Sequence, residues 1–199
     1  AGRQGDCQGL SQELLAEVDA ASAGKKGPLL QVRDLVKHFP IPGGLLQLPV
    51  AWVKAVDGVS FDIQRGETLG LVGESGSGKS TVARTIMRLI PATSGEVLLD
   101  GKNVFKASRS EMKKLRRDMQ IIFQDPYGSL NPRMPVGEII AEGLVVHGIG
   151  SPREREAAVN RLLEIVGLRG QHRGRFPHEF SGGQRQRIGL ARTRALPAN

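Results

Sequence analysis

Apolar residues recur along this chain with two different periods, and the change of period marks out its elements. Leu30-Gln31-Val32-Arg33-Asp34-Leu35-Val36 alternates apolar and polar side chains imperfectly, which predicts a strand with one buried face. Pro40, Pro42, Gly43, Gly44 and Pro49 follow and predict a break, because proline removes a ladder donor and glycine weakens extended structure. Val59-Ser60-Phe61-Asp62-Ile63 alternates cleanly and reads as a second strand ending at Arg65-Gly66. Thr68-Leu69-Gly70-Leu71-Val72 is apolar enough to predict a third strand buried on both faces. A helical stretch from Thr81 to Leu89 stops before Pro91, and Ser94 to Gly101 reads as a strand closed by a turn. Ser108-Arg109-Ser110-Glu111 offers a capping box for a short basic helix, Glu111 to Arg117, and Met119 to Phe123 is again strand-like. Ser151-Pro152-Arg153-Glu154 combines a capping box with proline at the first helical position. Val159, Leu162, Leu163 and Val166 then recur at i, i+3, i+4 and i+7 before Gly167, an amphipathic helix with a start and a stop. Residues 1–27, rich in Gly, Ala, Ser and Gln, read as a tail or linker whose one helix-compatible piece is Leu10 to Val18.

Composition narrows the class. The chain has 199 residues, 39% apolar and 24% charged, which fits one ordinary globular domain. No apolar run reaches the roughly 18 residues that a membrane-spanning helix needs. No secretory h-region follows the N-terminus and Cys7 is the single cysteine, so a reducing, cytoplasmic setting is expected. The net charge of +8 raises the question of polyanions. Its basic residues, Lys113-Lys114, Arg116-Arg117, Arg153 to Arg155 and Arg185 to Arg187, are interspersed with acids and lack aromatic stacking platforms. They read as solvated faces, and no nucleic acid partner is expected.

Gly73-Glu74-Ser75-Gly76-Ser77-Gly78-Lys79-Ser80-Thr81 fits the G-x-x-x-x-G-K-[ST] pattern between an apolar run and a helix, the context that a phosphate-binding P-loop requires. Glycines let backbone N–H groups turn inward, and the positive end of the following helix adds to them. Lys79 supplies a mobile ammonium for the β- and γ-phosphates, and the Ser80 hydroxyl can ligate Mg²⁺. ATP or GTP is therefore the expected ligand. Phe180-Ser181-Gly182-Gly183-Gln184-Arg185-Gln186-Arg187 sets a hydroxyl and two glycines at a helix start, a second arrangement suited to phosphate or simply to capping. Between them, Ile122-Phe123-Gln124-Asp125-Pro126 ends an apolar run in an amide that by residue type alone faces solvent.

The order of these three motifs resembles that of ABC-type ATPases, in which Ser181 to Gln184 would be the signature and Gln124 the Q-loop glutamine. Val36-Lys37-His38-Phe39-Pro40, Ala55 to Ser60, Ser129-Leu130-Asn131-Pro132-Arg133 and Pro177 to Ser181 make the chain most similar to oligopeptide or dipeptide importer ATPases. The resemblance covers about residues 29 to 196. It implies an α/β fold: a P-loop NTPase core of ABC type with N-terminal antiparallel strands and a helical subdomain, incomplete at its C-terminus. The implied divisions are a tail (1–27), the first part of the nucleotide-binding core (28–124), the helical subdomain (125–180) and the signature with its helix (181–199). It also implies that Gln124 contacts Mg²⁺ and the attacking water, and that Phe39 stacks on adenine, although on residue type Phe39 reads equally well as a core aromatic.

The implied partners are a second ABC ATPase subunit closing head to tail, membrane permeases and an extracytoplasmic peptide-binding protein, at the cytoplasmic face of the cell membrane. Compared with the family, the chain stops at Asn199 before the Walker B carboxylates. These residues alone are thus expected to bind nucleotide weakly and to hydrolyse it negligibly, since phosphoryl transfer depends on positioning and charge stabilisation. Arg194 takes a position that the family usually fills with an apolar residue, where burial without a partner would be costly. The competing readings are a soluble ABC ATPase outside transport and a non-hydrolysing nucleotide-binding module. The 57 positions between Gln124 and Ser181 leave no room for the long coiled coil of the DNA-repair members.

Overall fold

A computed structural model of the chain describes residues 27–43, 48–123 and 126–196. The chain divides into two compact units, one up to Leu115 and the other from Arg116. Of the expected tail at residues 1–27, residues 1–26 with the Leu10 to Val18 piece lie outside the described residues, as does Gln124.

The first unit is built on a four-stranded antiparallel sheet in the order β2-β1-β3-β4, from β1 (Leu30–Gly43), β2 (Leu48–Ile63), β3 (Ser94–Leu99) and β4 (Lys102–Asn103). Val32, Leu35, Val56, Val97 and Leu99 are its buried apolar residues; Val32 and Leu35 stand three apart, and the register shifts between them at Asp34, whose φ is 44°. Arg33 grips Asp62 on the neighbouring strand with two hydrogen bonds of 2.5 and 2.9 Å. Helix α1 (Lys79–Ile86) buries Val82, Thr85 and Ile86. Beyond it the chain turns through Arg88, whose φ of 52° is left-handed and whose guanidinium donates to the carbonyls of Val104 and Ala107. Helix α2 (Arg109–Asp118) opens with the anticipated box: Ser108 N–H donates to Glu111 Oε2 at 2.8 Å and Glu111 N–H to Ser108 Oγ at 3.3 Å. Met112 and Leu115 are its buried residues.

Three expectations fail in this unit and its continuation. Pro40 and Pro42 do not end the first strand, which runs on to Gly43 with Pro40 opposite Trp52 and Pro42 opposite Pro49. The reason is the sheet edge. β3 pairs with β1 only as far as Val36, so from His38 onward β1 and β2 form a two-stranded ribbon with a free side, where a missing N–H is tolerated. Thr68 to Val72 forms no strand; Leu69 and Leu71 are exposed and Val72 is 94% exposed. Met119 to Phe123 likewise forms none, and Ile122 and Phe123 are exposed. A strand buried on both faces needs ladder partners on its two sides, and no described strand pairs with either segment.

The second unit is helical. It comprises α3 (Pro126–Ser129), α4 (Val136–His147), α5 (Pro152–Ile165), two 3₁₀ turns (Gly170–Gly174 and Pro177–Glu179) and α6 (Gly182–Arg194). Its core gathers Val136, Ile139 and Ile140 of α4, Val159 and Leu163 of α5, Phe180, and Ile188 and Ala191 of α6. The α5 capping box forms as its sequence predicts: Ser151 N–H donates to Glu154 Oε2 at 2.6 Å and Glu154 N–H to Ser151 Oγ at 3.4 Å. Arg194 is exposed, so its charge stays hydrated and the feared burial does not arise.

Leu163 is fully buried, so Leu163→Ala is expected to destabilise the protein by roughly 2–5 kcal/mol through lost transfer energy and a residual cavity, measured by denaturant unfolding. Several carboxylates lie below their ordinary range: Asp62 through the Arg33 hydrogen bond, Glu111 through the Ser108 hydroxyl and Glu154 through the Ser151 backbone N–H. Each has a folded-state pKa below its unfolded one. Their stabilisation is therefore complete above the unfolded values and is lost as pH falls through the folded ones. The thermal midpoint is expected to hold between about pH 7 and 5 and to drop below about pH 4.

Candidate functional site

The glycine-rich loop from Gly73 to Gly78 leads directly into α1, whose N-cap is Gly78 in the left-handed region at φ 90°. Gly76 shares that conformation at φ 86°, so two of the motif's glycines take a backbone shape that L side chains avoid. Gly78 is doubly required, because a Cβ there would collide with the carbonyl oxygen of Ala55 on β2. The first turn of α1 carries no acidic residue, leaving the helix's positive end uncompensated.

Lys79 closes the loop on itself. Its Nζ donates to the carbonyls of Gly73 at 2.7 Å and Glu74 at 2.6 Å and to Ser77 Oγ at 3.2 Å. Ser77 N–H in turn donates to the Glu74 carbonyl at 3.2 Å. The ammonium thus satisfies oxygens of the loop while Glu74, Ser75, Gly76 and Ser77 remain exposed, as does Ser80 at the helix start; Thr81 is half-buried. This chemistry fits an entering polyphosphate, which offers the same ammonium oxygens of full negative charge. It also fits Mg²⁺, which takes few protein oxygens and keeps phosphate oxygens and waters, with Ser80 as the exposed hydroxyl that directly follows Lys79. Among the described residues no group of three or more His, Cys, Asp or Glu converges as a metal cage.

Phe39 lies on the β1–β2 ribbon opposite Val53, two residues before the Ala55 that abuts Gly78. It is 38% exposed, so the core-aromatic reading does not hold. Lys37 Nζ lies 4.7 Å from its ring centroid, a cation–π contact that holds one face of the ring. Strand period two would have found that pair, since Lys37 and Phe39 are two apart. The approach of Ala55 to Gly78 has no local signal. Nor had the neighbouring trio, in which His38 Nε2 and Lys54 Nζ lie 2.9 and 3.3 Å from the Asp57 carboxylate. The His38 hydrogen bond, then that of Lys54, holds Asp57 below the usual carboxylate range.

In the helical unit, Ser181 caps α6. Its Oγ accepts from Gln184 N–H at 3.3 Å, and its own N–H donates to Gln184 Oε1 at 2.9 Å. Gln184 therefore folds back over the helix start, a structural task that the Ser-x-x-Gln spacing specifies. Gly182 and Gly183 have open space where a Cβ would be, and the first turn again has no acidic residue. Phe180, packed edge-on against His172 at 5.8 Å, and buried Ile188 and Ala191 anchor this helix start in the core.

The ABC transporter family matches residues 56–199. The chain is 56% identical over 170 residues to the oligopeptide transport ATP-binding protein OppF of Bacillus subtilis (strain 168), covering 84% of this chain and 53% of that protein. It is 52% identical over 184 residues to the glutathione import ATP-binding protein GsiA of Salmonella typhimurium, covering 92% of this chain and 29% of that one. The chain thus spans about half or less of the length of these relatives. Among solved structures it resembles the dimeric post-hydrolysis state of the ATP-binding cassette MJ0796 bound to ADP and Pi, with TM-score 0.72, 28% identity, and coverage of 85% of this chain and 70% of that one. CbiO1 of Clostridium perfringens, part of the transporter complex cbiONQ, follows with TM-score 0.67, 26% identity, and coverage of 87% and 63%.

Gly78→Ala is expected to lower stability by more than about 1 kcal/mol, because the new Cβ meets strain and the Ala55 carbonyl together. Thermal unfolding checks it, with Gly182→Ala, which meets open space, as the milder comparison. Ser181→Ala removes the α6 cap and should cost about 1 kcal/mol, read from denaturant unfolding.

Proposed function

Because this chain belongs to the ABC transporter family, with ATP-binding importer subunits among its relatives, we propose that it is the nucleotide-binding part of an ATPase driving import of oligopeptides or dipeptides. The observation carrying this reading is the loop from Gly73 to Thr81, with left-handed glycines and Lys79 hydrogen-bonded to its own carbonyls. Lys79 exchanges those oxygens for the β- and γ-phosphates of ATP, while backbone N–H groups at the start of α1 hold the phosphate oxygens. Ser80 takes Mg²⁺, which when bound neutralises developing phosphate charge, and Gln124 adds a second oxygen ligand. Phe39 supplies the face on which adenine stacks, its position fixed by Lys37 and the ribbon.

In the full-length protein, two ATPase subunits pair head to tail so that Ser181, Gly182, Gly183 and Gln184 of one face the phosphates held by the other. The N-cap hydroxyl and the glycine N–H groups at the α6 start are suited to that task. The dimeric MJ0796 cassette bound to ADP and Pi supports the pairing. Closure drives membrane permeases at the cytoplasmic face, fed by an extracytoplasmic peptide-binding protein. No helix among the described residues is long and apolar enough to cross a membrane, which agrees with a peripheral subunit. The 199 residues taken alone bind nucleotide weakly and do not turn it over, since none of the assigned groups is a carboxylate placed to orient water.

The full-length protein should co-purify with permeases and show peptide-stimulated ATP hydrolysis, with Lys79→Ala lowering turnover by at least about a hundredfold. Co-purification with ribosomes or DNA instead would favour a non-transport ABC ATPase. For the 199-residue chain, a colorimetric phosphate assay should stay at background. Turnover that persists there and vanishes in Lys79→Ala would overturn the claim that these residues lack a catalytic set.

A further inference from the structure

Helix α2 separates its charges by side. At about 100° per residue, the buried Met112 and Leu115 define one stripe, and Glu111 and Asp118, seven apart, share a single flank. Arg109, Lys113, Lys114, Arg116 and Arg117 fill the remaining arc of about 160° without an acid among them. Residues 102–118 hold seven basic side chains against two acidic ones, which is the greater part of the chain's net charge of +8. Glu111 offsets part of this charge: its carboxylate accepts from the Ser108 N–H at the helix start and is attracted by Lys114 and Lys102. Among the described residues, Lys106, Arg109, Lys113 and Arg116 take part in no ion pair, and all four are exposed. The preceding turn is rigid. Arg88 binds the Val104 and Ala107 carbonyls, and Asn103 Oδ1 accepts from the N–H groups of Phe105 at 2.9 Å and Lys106 at 3.0 Å. Leu89, next to Arg88, is an exposed aliphatic side chain.

We propose that the basic arc of α2, from Lys106 through Arg109, Lys113, Lys114 and Arg116, docks on the anionic headgroups of a lipid bilayer. A convex helix of flexible lysines suits a diffuse sheet of negative charge, where each cation near the surface contributes independently. Single-stranded nucleic acid is the poorer match, as no exposed aromatic accompanies the cations, and duplex DNA is tested below as a competitor. The proposal rests on the importer reading only for the reason a membrane lies near this helix. By adding weak contacts to those made with permeases, the arc would raise the subunit's effective concentration at the bilayer.

The test is co-sedimentation of the full-length protein, without permeases, with vesicles of phosphatidylcholine alone or containing about a third phosphatidylglycerol. Binding is expected only to the anionic vesicles and should disappear at about 0.5 M salt, where screening shortens to a few ångströms. Lys113→Glu with Lys114→Glu should weaken it about tenfold or more at unchanged thermal midpoint. Arg153→Glu with Arg161→Glu, the same charge change on exposed positions of α5, should alter it less than about twofold. Failure to bind anionic vesicles, equal losses from the two double variants, or displacement from vesicles by duplex DNA at equal phosphate would each overturn the proposal. Permease co-purification in detergent reads the importer function separately, so either result can fail while the other stands.

Discussion

An ammonium held among loop oxygens is the contact on which the functional half of this structure depends. Lys79 binds the carbonyls of Gly73 and Glu74 and the hydroxyl of Ser77, so the loop is wrapped round its own cation. In that geometry Gly76 and Gly78 are left-handed, and the carbonyl of Ala55 on β2 occupies the space that a Cβ at Gly78 would need. Neutral carbonyls are weaker partners for an ammonium than charged phosphate oxygens, so the resting contacts keep the loop in shape without competing strongly with a nucleotide. The sheet serves the loop in turn. Its buried face fixes β2, and the ribbon beyond Val36 carries Phe39 and Lys37 beside the strand that touches Gly78.

The two helix starts at Lys79 and Gly182 solve one problem by different means. The first has a left-handed glycine as its N-cap and no side-chain cap, which leaves N–H groups open at an uncompensated helix end. The second spends Ser181 and Gln184 on a reciprocal capping box. At α6 the hydroxyl and amide would have to loosen from each other to serve a ligand, so its resting state is better satisfied. On the proposed reading, the open helix end at Lys79 is therefore the readier of the two to take a phosphate.

What the sequence made legible was local chemistry. Capping boxes at Ser108, Ser151 and Ser181 depend on residues three apart, and the helix from Pro152 follows from its own apolar period. The glycine-rich loop leading into α1 was legible for the same reason. Extended segments were legible only in part: Leu30 to Val36, Val59 to Ile63 and Ser94 to Leu99 are strands as read, but where a strand ends and whether it forms depend on its neighbours. Pro40 and Pro42 remain in β1 since the ribbon has a free side there, a fact of sheet order invisible in the residues themselves. Thr68 to Val72 has a buried strand's composition and lacks the ladder that would make it one. Phe39, read either as an adenine-stacking ring or as a core aromatic, is 38% exposed with Lys37 over its ring, which the residue type alone did not decide. Gln124, the one polar site residue drawn from family resemblance alone, falls outside the described residues.

The most direct measurement is hydrogen exchange of the full-length protein with and without Mg²⁺ and a non-hydrolysable ATP analogue. The account predicts slowed exchange of the amides from Gly76 to Thr81, where the loop's N–H groups would hold phosphate, with no change in the α5 helix from Pro152 to Ile165. It also predicts that Lys79→Ala removes that protection. Exchange at Gly76 to Thr81 that is indifferent to the nucleotide, at concentrations where binding is demonstrated independently, would contradict the assignment of this loop as the phosphate site.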